Sequence, residues 1–244
     1  EGDKNTVYCL DRKGQLLWKT TVGKRRDVRH KKGSSCNPSP TTDGKHVYVY
    51  FKSGDFACLD FQGKVRWKKN LQQEFGKDTL WFDLGTSPVL TKNLVVVACV
   101  QSGPSYLAGF DKATGKTTWK QDRNLNAPEE AAQTYSTPIV MTHKGTEAVV
   151  VLGADHVTAH RTTDGKELWR VGGLNPSSNR LFRSISSPVA TGDMIIAPYA
   201  RGKSLTAIQA GGSGNVTESH VRWSKSNVSV DVPTPIAHEG KVYL

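Results

Sequence analysis

Short apolar segments alternate with polar turns along the whole chain, and no stretch has the apolar spacing of a long helix. Residues 137–170 show the pattern in full. Apolar or alternating runs at 137–141, 147–152, 156–160 and 167–170 are separated by turns that contain glycine, one of them Asp-Gly. Such short runs joined by tight turns predict a four-stranded antiparallel sheet.

This unit recurs about once every fifty residues. Each copy opens with Ser or Thr followed by proline, and it closes with a tryptophan. The opening residues are Ser39, Ser87, Thr137, Ser187 and Thr234, and the closing tryptophans are Trp18, Trp67, Trp119, Trp169 and Trp223. Successive tryptophans are separated by 49, 52, 50 and 54 residues, a period that indicates a propeller or a solenoid.

The repeat predicts an all-β fold, a single β-propeller domain of four-stranded antiparallel blades. We expect blades at about 37–70, 86–121, 135–171 and 185–224, with half blades at 1–21 and 233–244. We interpret the recurring tryptophans as scaffolding, because a large ring near the end of a fourth strand can fill the wedge between blades. Burying one such ring contributes about 2–3 kcal/mol.

One stretch carries a family resemblance. Residues 108–119 read Ala-Gly-Phe-Asp-Lys-Ala-Thr-Gly-Lys-Thr-Thr-Trp, and 159–169 follow the same pattern except at His160 and Arg161. The pattern resembles the pyrroloquinoline-quinone-like (PQQ-like) repeat of β-propellers, similar to the outer-membrane assembly protein BamB and to planctomycete quinoprotein-like proteins. The resemblance implies a ring of seven or eight blades, of which this chain supplies a part. It also implies export to the periplasm or outer membrane, and it makes residues 210–217 an insertion with a flexible glycine turn.

A compact five-bladed ring is the alternative architecture. In that ring, the leading strands at the C-terminus and the trailing strands at the N-terminus would complete one shared blade. The phase of the repeat permits this closure, which would also remove open sheet edges.

The net charge of +11 is concentrated in one loop, because seven of the nine residues at 24–32 are Lys, Arg or His. This segment is either a solvated loop or a patch that attracts an acidic protein or an anionic envelope component. Nucleic acid is not predicted as a partner, because no aromatic residues interleave the charges. No apolar run approaches the roughly 18 residues of a membrane-spanning helix, so no transmembrane segment is predicted.

The four cysteines carry little functional information. Cys9 and Cys58 hold equivalent places in successive units, and we expect both to be buried as small hydrophobic residues. Cys36 and Cys99 are at non-equivalent places, and no metal-type spacing occurs. The sequence is compatible both with one disulfide and with four free thiols.

Candidate binding residues come from the loops between blades, which gather around one end of a propeller channel. We single out Trp81, Asp83, His30, Arg180 and Arg183 as ligand- or partner-binding candidates. Trp81-Phe82-Asp83 is the most unusual group, because no rule of the repeat requires it. It is either a ligand platform with an acid beside it or a plug that packs a loop over the channel.

No catalytic or metal-binding set emerges from the sequence. His156 and His160 would lie on one face of a strand but about 13 Å apart, too far to share one ion, and we expect them to be exposed or edge-facing. We therefore predict a non-catalytic exported scaffold or binding module for a protein or envelope component, without a cofactor. The alternative is a quinoprotein dehydrogenase that uses PQQ and Ca²⁺ and whose site is completed by blades outside this chain.

Overall fold

The computed structural model describes residues 2–31 and 33–244, which form six sheets in chain order, five of them entirely antiparallel. The N-terminal hairpin consists of β1 (Lys4–Leu10) and β2 (Leu16–Lys24). Blade 1 consists of β3 (Thr41–Thr42), β4 (His46–Tyr50), β5 (Asp55–Asp60) and β6 (Val65–Asn70). Helix α1 (Leu71–Phe75) follows blade 1, and Asn70 caps its N-terminus.

Three further blades and a second hairpin complete the described chain. Blade 2 consists of β7 (Val89–Leu90), β8 (Leu94–Cys99), β9 (Tyr106–Asp111) and β10 (Thr117–Asp122). Blade 3 consists of β11 (Ile139–His143), β12 (Thr146–Gly153), β13 (His156–Arg161) and β14 (Glu167–Val171). Blade 4 consists of β15 (Val189–Thr191), β16 (Met194–Tyr199), β17 (Ser204–Gln209) and, after the short β18 (Gly214–Asn215) and helix α2 (Thr217–His220), β19 (Val221–Ser226). The C-terminal hairpin consists of β20 (Ile236–His238) and β21 (Lys241–Tyr243), and 3₁₀ turns lie at Glu129–Ala132 and Ala200–Gly202.

The all-β propeller architecture is confirmed, but the ring is not closed within this chain. The first strands of successive blades lie next to one another, as they do around a propeller axis. The two hairpins remain separate two-stranded sheets, so the five-bladed ring with a shared blade is wrong for this chain. The ring of seven or eight blades stays a prediction. No helix in the described ranges has the length and apolar character needed to cross a membrane.

The hydrophobic core lies between the blades. Strand β8 is buried along its whole length, and its alternate residues face opposite neighbours. Val95 and Val97 pack with residues of blade 1, whereas Val96 and Ala98 pack with residues of blade 3. A sheet that is covered on both faces reads as a continuous apolar run, which explains the sequence of this strand.

A small residue lies opposite each repeat tryptophan on the neighbouring strand. The pairs are Cys9 with Trp18, Cys58 with Trp67, Gly109 with Trp119, Ala159 with Trp169 and Ala207 with Trp223. At Gly109, an added Cβ would lie 2.5 Å from the Trp119 ring, so no larger side chain fits there. Cys58 is buried as predicted, whereas Cys9 is only half-buried because its sheet has two strands, and all four cysteines are free thiols.

Three tryptophans also dock on the next blade along the chain. The indole Nε1 of Trp18 donates to the Phe61 carbonyl at 2.8 Å, that of Trp67 to Lys112 at 2.9 Å and that of Trp119 to Thr162 at 2.9 Å. The glycine of the same turn faces the ring: an added Cβ would lie 2.6 Å from Trp18 at Gly63, 2.6 Å from Trp67 at Gly115 and 2.5 Å from Trp119 at Gly165. The repeat motif therefore joins two blades, because the glycine turn of one receives the tryptophan of the previous one.

The Ser/Thr-Pro positions form a second inter-blade connection. The backbone N–H of each Ser or Thr donates to the hydroxyl of its equivalent one blade further on. The donor–acceptor distances are 2.9 Å from Ser39 to Ser87, 3.1 Å from Ser87 to Thr137, 2.9 Å from Thr137 to Ser187 and 3.1 Å from Ser187 to Thr234. This row of hydrogen bonds explains the hydroxyl before four of the five prolines, those at Ser87, Thr137, Ser187 and Thr234.

The insertion in blade 4 is ordered rather than the flexible turn we expected. Residues 210–220, which we call the strap, cross back to blade 3. There β18 pairs in parallel with β14, with Gly214 opposite Trp169 and Asn215 opposite Arg170. Val216 is buried against blade 3, so burial and backbone pairing hold the strap in place.

Candidate functional site

The five linkers between blades meet at one end of the propeller and enclose an open cleft of about 890 Å³. Each linker joins the outermost strand of one blade to the innermost strand of the next, so topology places them together. The lining includes His30, Lys31, Phe82, Tyr135, Arg183 and Val232. Every linker contributes at least one of these residues.

Phe82 is the structural centre of the cleft. Its ring meets the His30 ring edge to face at 4.9 Å and the Tyr135 ring at 6.0 Å. The guanidinium of Arg183 lies over it, with Cζ 5.4 Å from the ring centroid. The Phe82 N–H donates to Tyr135 Oη at 3.1 Å, which fixes the ring in place. Phe82 belongs to the Trp81-Phe82-Asp83 group but is not one of the five predicted binding residues, because the sequence pattern does not indicate which ring turns inward.

Trp81 lies beside this centre and projects outward. Its side chain is 47% exposed, and its backbone N–H donates to Gln133 Oε1 at 2.9 Å. The loop is therefore anchored through its backbone, while most of the indole faces solvent. Trp81 is therefore a surface residue rather than a core residue.

Asp83 is buried and has a structural role. Its carboxylate forms an ion pair with Lys52, and neither side chain is exposed. It also accepts the Arg29 N–H at 3.0 Å, while Lys52 Nζ donates to the Asp27 carbonyl at 2.5 Å. The acid that the sequence places beside Trp81 therefore holds two linkers together and does not face the cleft. Removing one member of such a buried pair costs about 3–5 kcal/mol.

Arg183 joins three linkers through charge. Its Nε lies 3.2 Å from the buried carboxylate of Glu130, and its Nη2 lies 3.4 Å from Asp231. Arg201 approaches the same Glu130 carboxylate at 3.1 Å. Arg183 thus combines a cleft-lining position with a fixed geometry.

Arg180 is on the rim, outside the cleft. It pairs with Glu129 at 3.2 Å, but both side chains are at least half exposed, so the pair contributes little to stability. Of the five predicted site residues, the structure therefore brings His30 and Arg183 into one cleft and places Trp81 next to it. Arg180 lies further out, and Asp83 lies beneath.

Part of the basic segment at 24–32 contacts the next linker. Arg26 donates to Gln72 Oε1 at 2.6 Å, and Arg29 donates to the Leu80 carbonyl at 2.9 Å and to the Asp78 carbonyl. Lys31 lines the cleft, and Lys32 lies outside the described residues. The segment is therefore more than a solvated loop, because it anchors linker 1 on linker 2 and adds positive charge to the cleft.

Exposed apolar side chains occur on four of the five linkers. They are Val28 (37% exposed), Trp81 (47%), Leu181 (41%), Val228 (47%) and Val232 (58%), and Val232 lines the cleft. We call this set the apolar rim. Single exposed apolar residues are ordinary on a protein surface.

In the described part of the chain, no group of three or more His, Cys, Asp or Glu side chains is arranged to hold a metal ion. Two buried linker carboxylates are also committed, because Asp83 pairs with Lys52 and Glu130 pairs with Arg183 and Arg201. A Ca²⁺ ion needs six to eight oxygen ligands, so these residues do not fit a calcium-bound quinone.

The two histidines of β13 differ from expectation. His160 is 1% exposed; its Nδ1 donates to the Gly165 carbonyl at 3.1 Å and its Nε2 accepts from Thr158 Oγ1 at 3.0 Å. Burial, with Arg123 nearby, lowers the pKa of His160 to about 4. The predicted exposure is wrong for His160, because its strand is covered by neighbouring blades on both faces. His156 is partly exposed.

A family model for outer membrane protein assembly factor BamB matches residues 3–244. This chain belongs to that family. Its fold matches the crystal structure of BamB from Moraxella catarrhalis with a TM-score of 0.63 at 19% identity, over 98% of this chain and 60% of that one. The chain thus spans about 60% of the length of that BamB.

Quinoprotein dehydrogenases share the fold. Quinohemoprotein alcohol dehydrogenase from Comamonas testosteroni matches with a TM-score of 0.62 at 14% identity, over 92% of this chain and 40% of that one. A europium-containing methanol dehydrogenase matches with a TM-score of 0.63 at 12% identity, over 91% and 47%. No curated protein matches the chain. At these identities the structural matches show the propeller fold, and the family model supplies the membership.

Proposed function

We propose that this chain is the part of an exported, non-catalytic propeller that binds a partner protein of the cell envelope through its linker face. The observation that carries this proposal is a cationic cleft formed by linkers that also bear the exposed residues of the apolar rim. Aromatic residues and arginine are enriched at protein interfaces, and both occur here in Trp81 and Arg183. Membership of the BamB family supports a periplasmic or outer-membrane location.

The charge of the cleft indicates the chemistry of the partner. His30, Lys31 and Arg183 line it, and the lining contains no carboxylate. The nearby acids Glu130 and Asp231 are held by Arg183 at its edge. An acidic segment with an apolar side chain would therefore be complementary to this face, because complementary potentials speed association and fix register.

The dehydrogenase alternative has weaker support. The fold neighbours include dehydrogenases, but Asp83 and Glu130 are paired with lysine or arginine, and positive residues line the cleft. A divalent cation would be repelled there. Calorimetry of the full-length protein with PQQ and Ca²⁺ tests this alternative, and tight binding would revive it.

The test of partner binding begins with a photo-crosslinking amino acid at position 81, introduced into the full-length protein in cells of the source organism. The cross-linked protein is identified by mass spectrometry, purified and titrated against variants. We expect Trp81→Ala and Arg183→Gln each to weaken binding about tenfold or more, as hot-spot residues do.

Phe61→Ala is the control, because Phe61 is 49% exposed and lies in the turn between β5 and β6, away from the linkers. The affinity of this variant for the partner should equal that of the unmodified protein. Equal losses for Trp81→Ala and Phe61→Ala, or no loss for Trp81→Ala, would contradict binding through the linker face.

A further inference from the structure

Trp169 differs from the three tryptophans that dock on a following blade. The indole Nε1 atoms of Trp18, Trp67 and Trp119 each donate to a turn carbonyl. As a whole residue Trp169 is 4% exposed, and its Nε1 has no hydrogen-bond acceptor among the described residues. Nε1 is not one of the fully buried unpaired polar atoms, so this donor is accessible to a ligand or to water.

The strap removes the acceptor. In the other interfaces the third strand of the following blade runs into a turn that covers the ring with a glycine. In blade 4, β17 is instead followed by Ala210 and the strap. Gly211 lies against His143, since an added Cβ would be 2.9 Å from its Nε2, and Gly212 lies against Val216 at 2.7 Å. Neither glycine faces the Trp169 ring.

A cavity of about 240 Å³ lies beside the ring of Trp169. It is open to solvent, and the apolar residues of its wall include Met141, Ala148, Val150, Ala159 and Leu168, while polar groups form much of the remainder. An apolar cavity of about 150 Å³ is large enough to bind benzene, so this one has room for a bicyclic ring.

The polar groups of the cavity favour an anion. Lys144 and His143 line it, and the lining contains no carboxylate. His143 is already paired with Asp193 at 2.9 Å, which leaves Lys144 as the positive charge for a ligand. A ligand that satisfies the site needs an apolar ring, a hydrogen-bond acceptor for Trp169 and a single negative charge.

We propose that this cavity between blades 3 and 4 binds a small aromatic carboxylate. The ring packs against the apolar walls, and the carboxylate supplies the acceptor that Trp169 lacks and the counter-charge for Lys144. The site is separate from the linker face, since its residues come from the blades and the strap. It does not depend on the partner-binding function proposed above.

The experiment uses the whole chain with ¹⁵N-labelled indole groups and 2-naphthoate as the probe. Each tryptophan gives one Nε1–H signal, and Trp169→Phe assigns the signal of Trp169. We expect that signal to move downfield on titration with a Kd between about 0.1 and 1 mM, which suits a ligand of this size. The signals of Trp67 and Trp119, whose Nε1 atoms are already bonded, should stay in place. No movement of the Trp169 signal up to the solubility limit of 2-naphthoate would overturn the proposal.

Two variants distinguish the hydrogen bond from Trp169 from the packing of the probe ring in the cavity. Trp169→Phe keeps an aromatic wall and removes the donor, so we expect 2-naphthoate to bind about fivefold more weakly, the loss of one ordinary hydrogen bond. Ala148→Leu fills the cavity and should abolish binding in a protein whose other indole signals are unchanged. Unchanged binding in both variants would place the probe elsewhere.

A neutral probe tests the charge. Naphthalene-2-carboxamide has the same ring and an acceptor but no negative charge, so it should bind several-fold more weakly than 2-naphthoate. Lys144→Gln should remove most of that difference. Equal affinity for the amide and the acid in the unmodified protein would show that the carboxylate assignment is wrong.

Discussion

The interfaces on the two sides of blade 3 each contain a repeat tryptophan, but the two rings have different surroundings. At the interface with blade 2, Trp119 donates to the Thr162 carbonyl and lies against Gly165 in the turn of blade 3. At the interface with blade 4, Trp169 meets the strap and has no acceptor among the residues described. The repeat therefore works through two elements, a tryptophan in one blade and the glycine turn of the next blade. A change in that turn alters the environment of the tryptophan in the previous blade.

Replacing the docked ring should have the largest effect. Trp119→Ala removes an indole that is 8% exposed, together with its hydrogen bond, and leaves a cavity between blades 2 and 3. We expect the free energy of unfolding to fall by about 3–5 kcal/mol, measured by urea denaturation. The control is Trp81→Ala on the exposed linker, which should change it by less than about 0.5 kcal/mol. Similar losses at both positions would mean that Trp81 is structural.

Acid should weaken the turn that receives Trp119. His160 donates to the carbonyl of Gly165 in this turn, and burial lowers its pKa to about 4 from the ordinary 6.5. The unfolded chain therefore binds a proton between pH 6.5 and 4 that the folded chain does not. The contribution of neutral His160 to the free energy of unfolding is complete above pH 6.5. It is lost as the pH falls to 4, which lowers the free energy of unfolding by up to about 3 kcal/mol.

This contribution of His160 is measured from the denaturation midpoints of the unmodified protein and of His160→Gln between pH 7 and 4. The variant should lack that part of the pH dependence. A parallel decline in both proteins would assign the effect to other groups.

The glycine of the turn should matter through its contact with the ring. Gly165 has a φ of 73° and no room for a Cβ, whereas Gly145 has a φ of 78° and open space around it. We expect Gly145→Ala to cost about 1 kcal/mol for the backbone alone. Gly165→Ala should cost about 2–3 kcal/mol, because it adds overpacking against Trp119. Thermal unfolding of the two variants gives the difference, and equal losses would reduce the role of Gly165 to its backbone conformation.

The smallest effect isolates the indole hydrogen bond. Trp119→Phe and Trp169→Phe remove similar ring volumes, but only the first removes a donor that has a protein acceptor. We expect Trp119→Phe to be more destabilising by about 1 kcal/mol in denaturant titrations without ligand. The reverse order would mean that Trp169 has an acceptor of equal strength.

The fold was predictable because the repeat contains its own register. The period of the tryptophans, the Asp-Gly turns and the Ser/Thr-Pro pairs each mark a fixed point of a four-stranded blade. Closure of the ring was not predictable, since the phase of the two hairpins allows a shared blade that the strand pairing does not contain. The strap was also missed, because a glycine-rich insertion shows no period that reveals which strand it joins.

The sequence predicts less about the linkers than about the blades. Topology brings the linkers together, and the predicted residues His30 and Arg183 line one cleft. The inward position of Phe82 and the burial of Asp83 against Lys52 depend on contacts between linkers that are far apart in sequence. Side-chain direction in an irregular loop follows no period, so the sequence could list candidates but could not sort them.

By itself, the sequence determined the strands, their grouping into blades and the positions where a ring must fill a wedge, because these follow from local periodicity repeated many times. Only the tertiary structure decided which tryptophan finds an acceptor, which acid is buried in an ion pair and which linker residues meet in a cleft. Those outcomes depend on which groups from different blades come within about 3–4 Å, the range of hydrogen bonds and ion pairs. No local pattern encodes such distances.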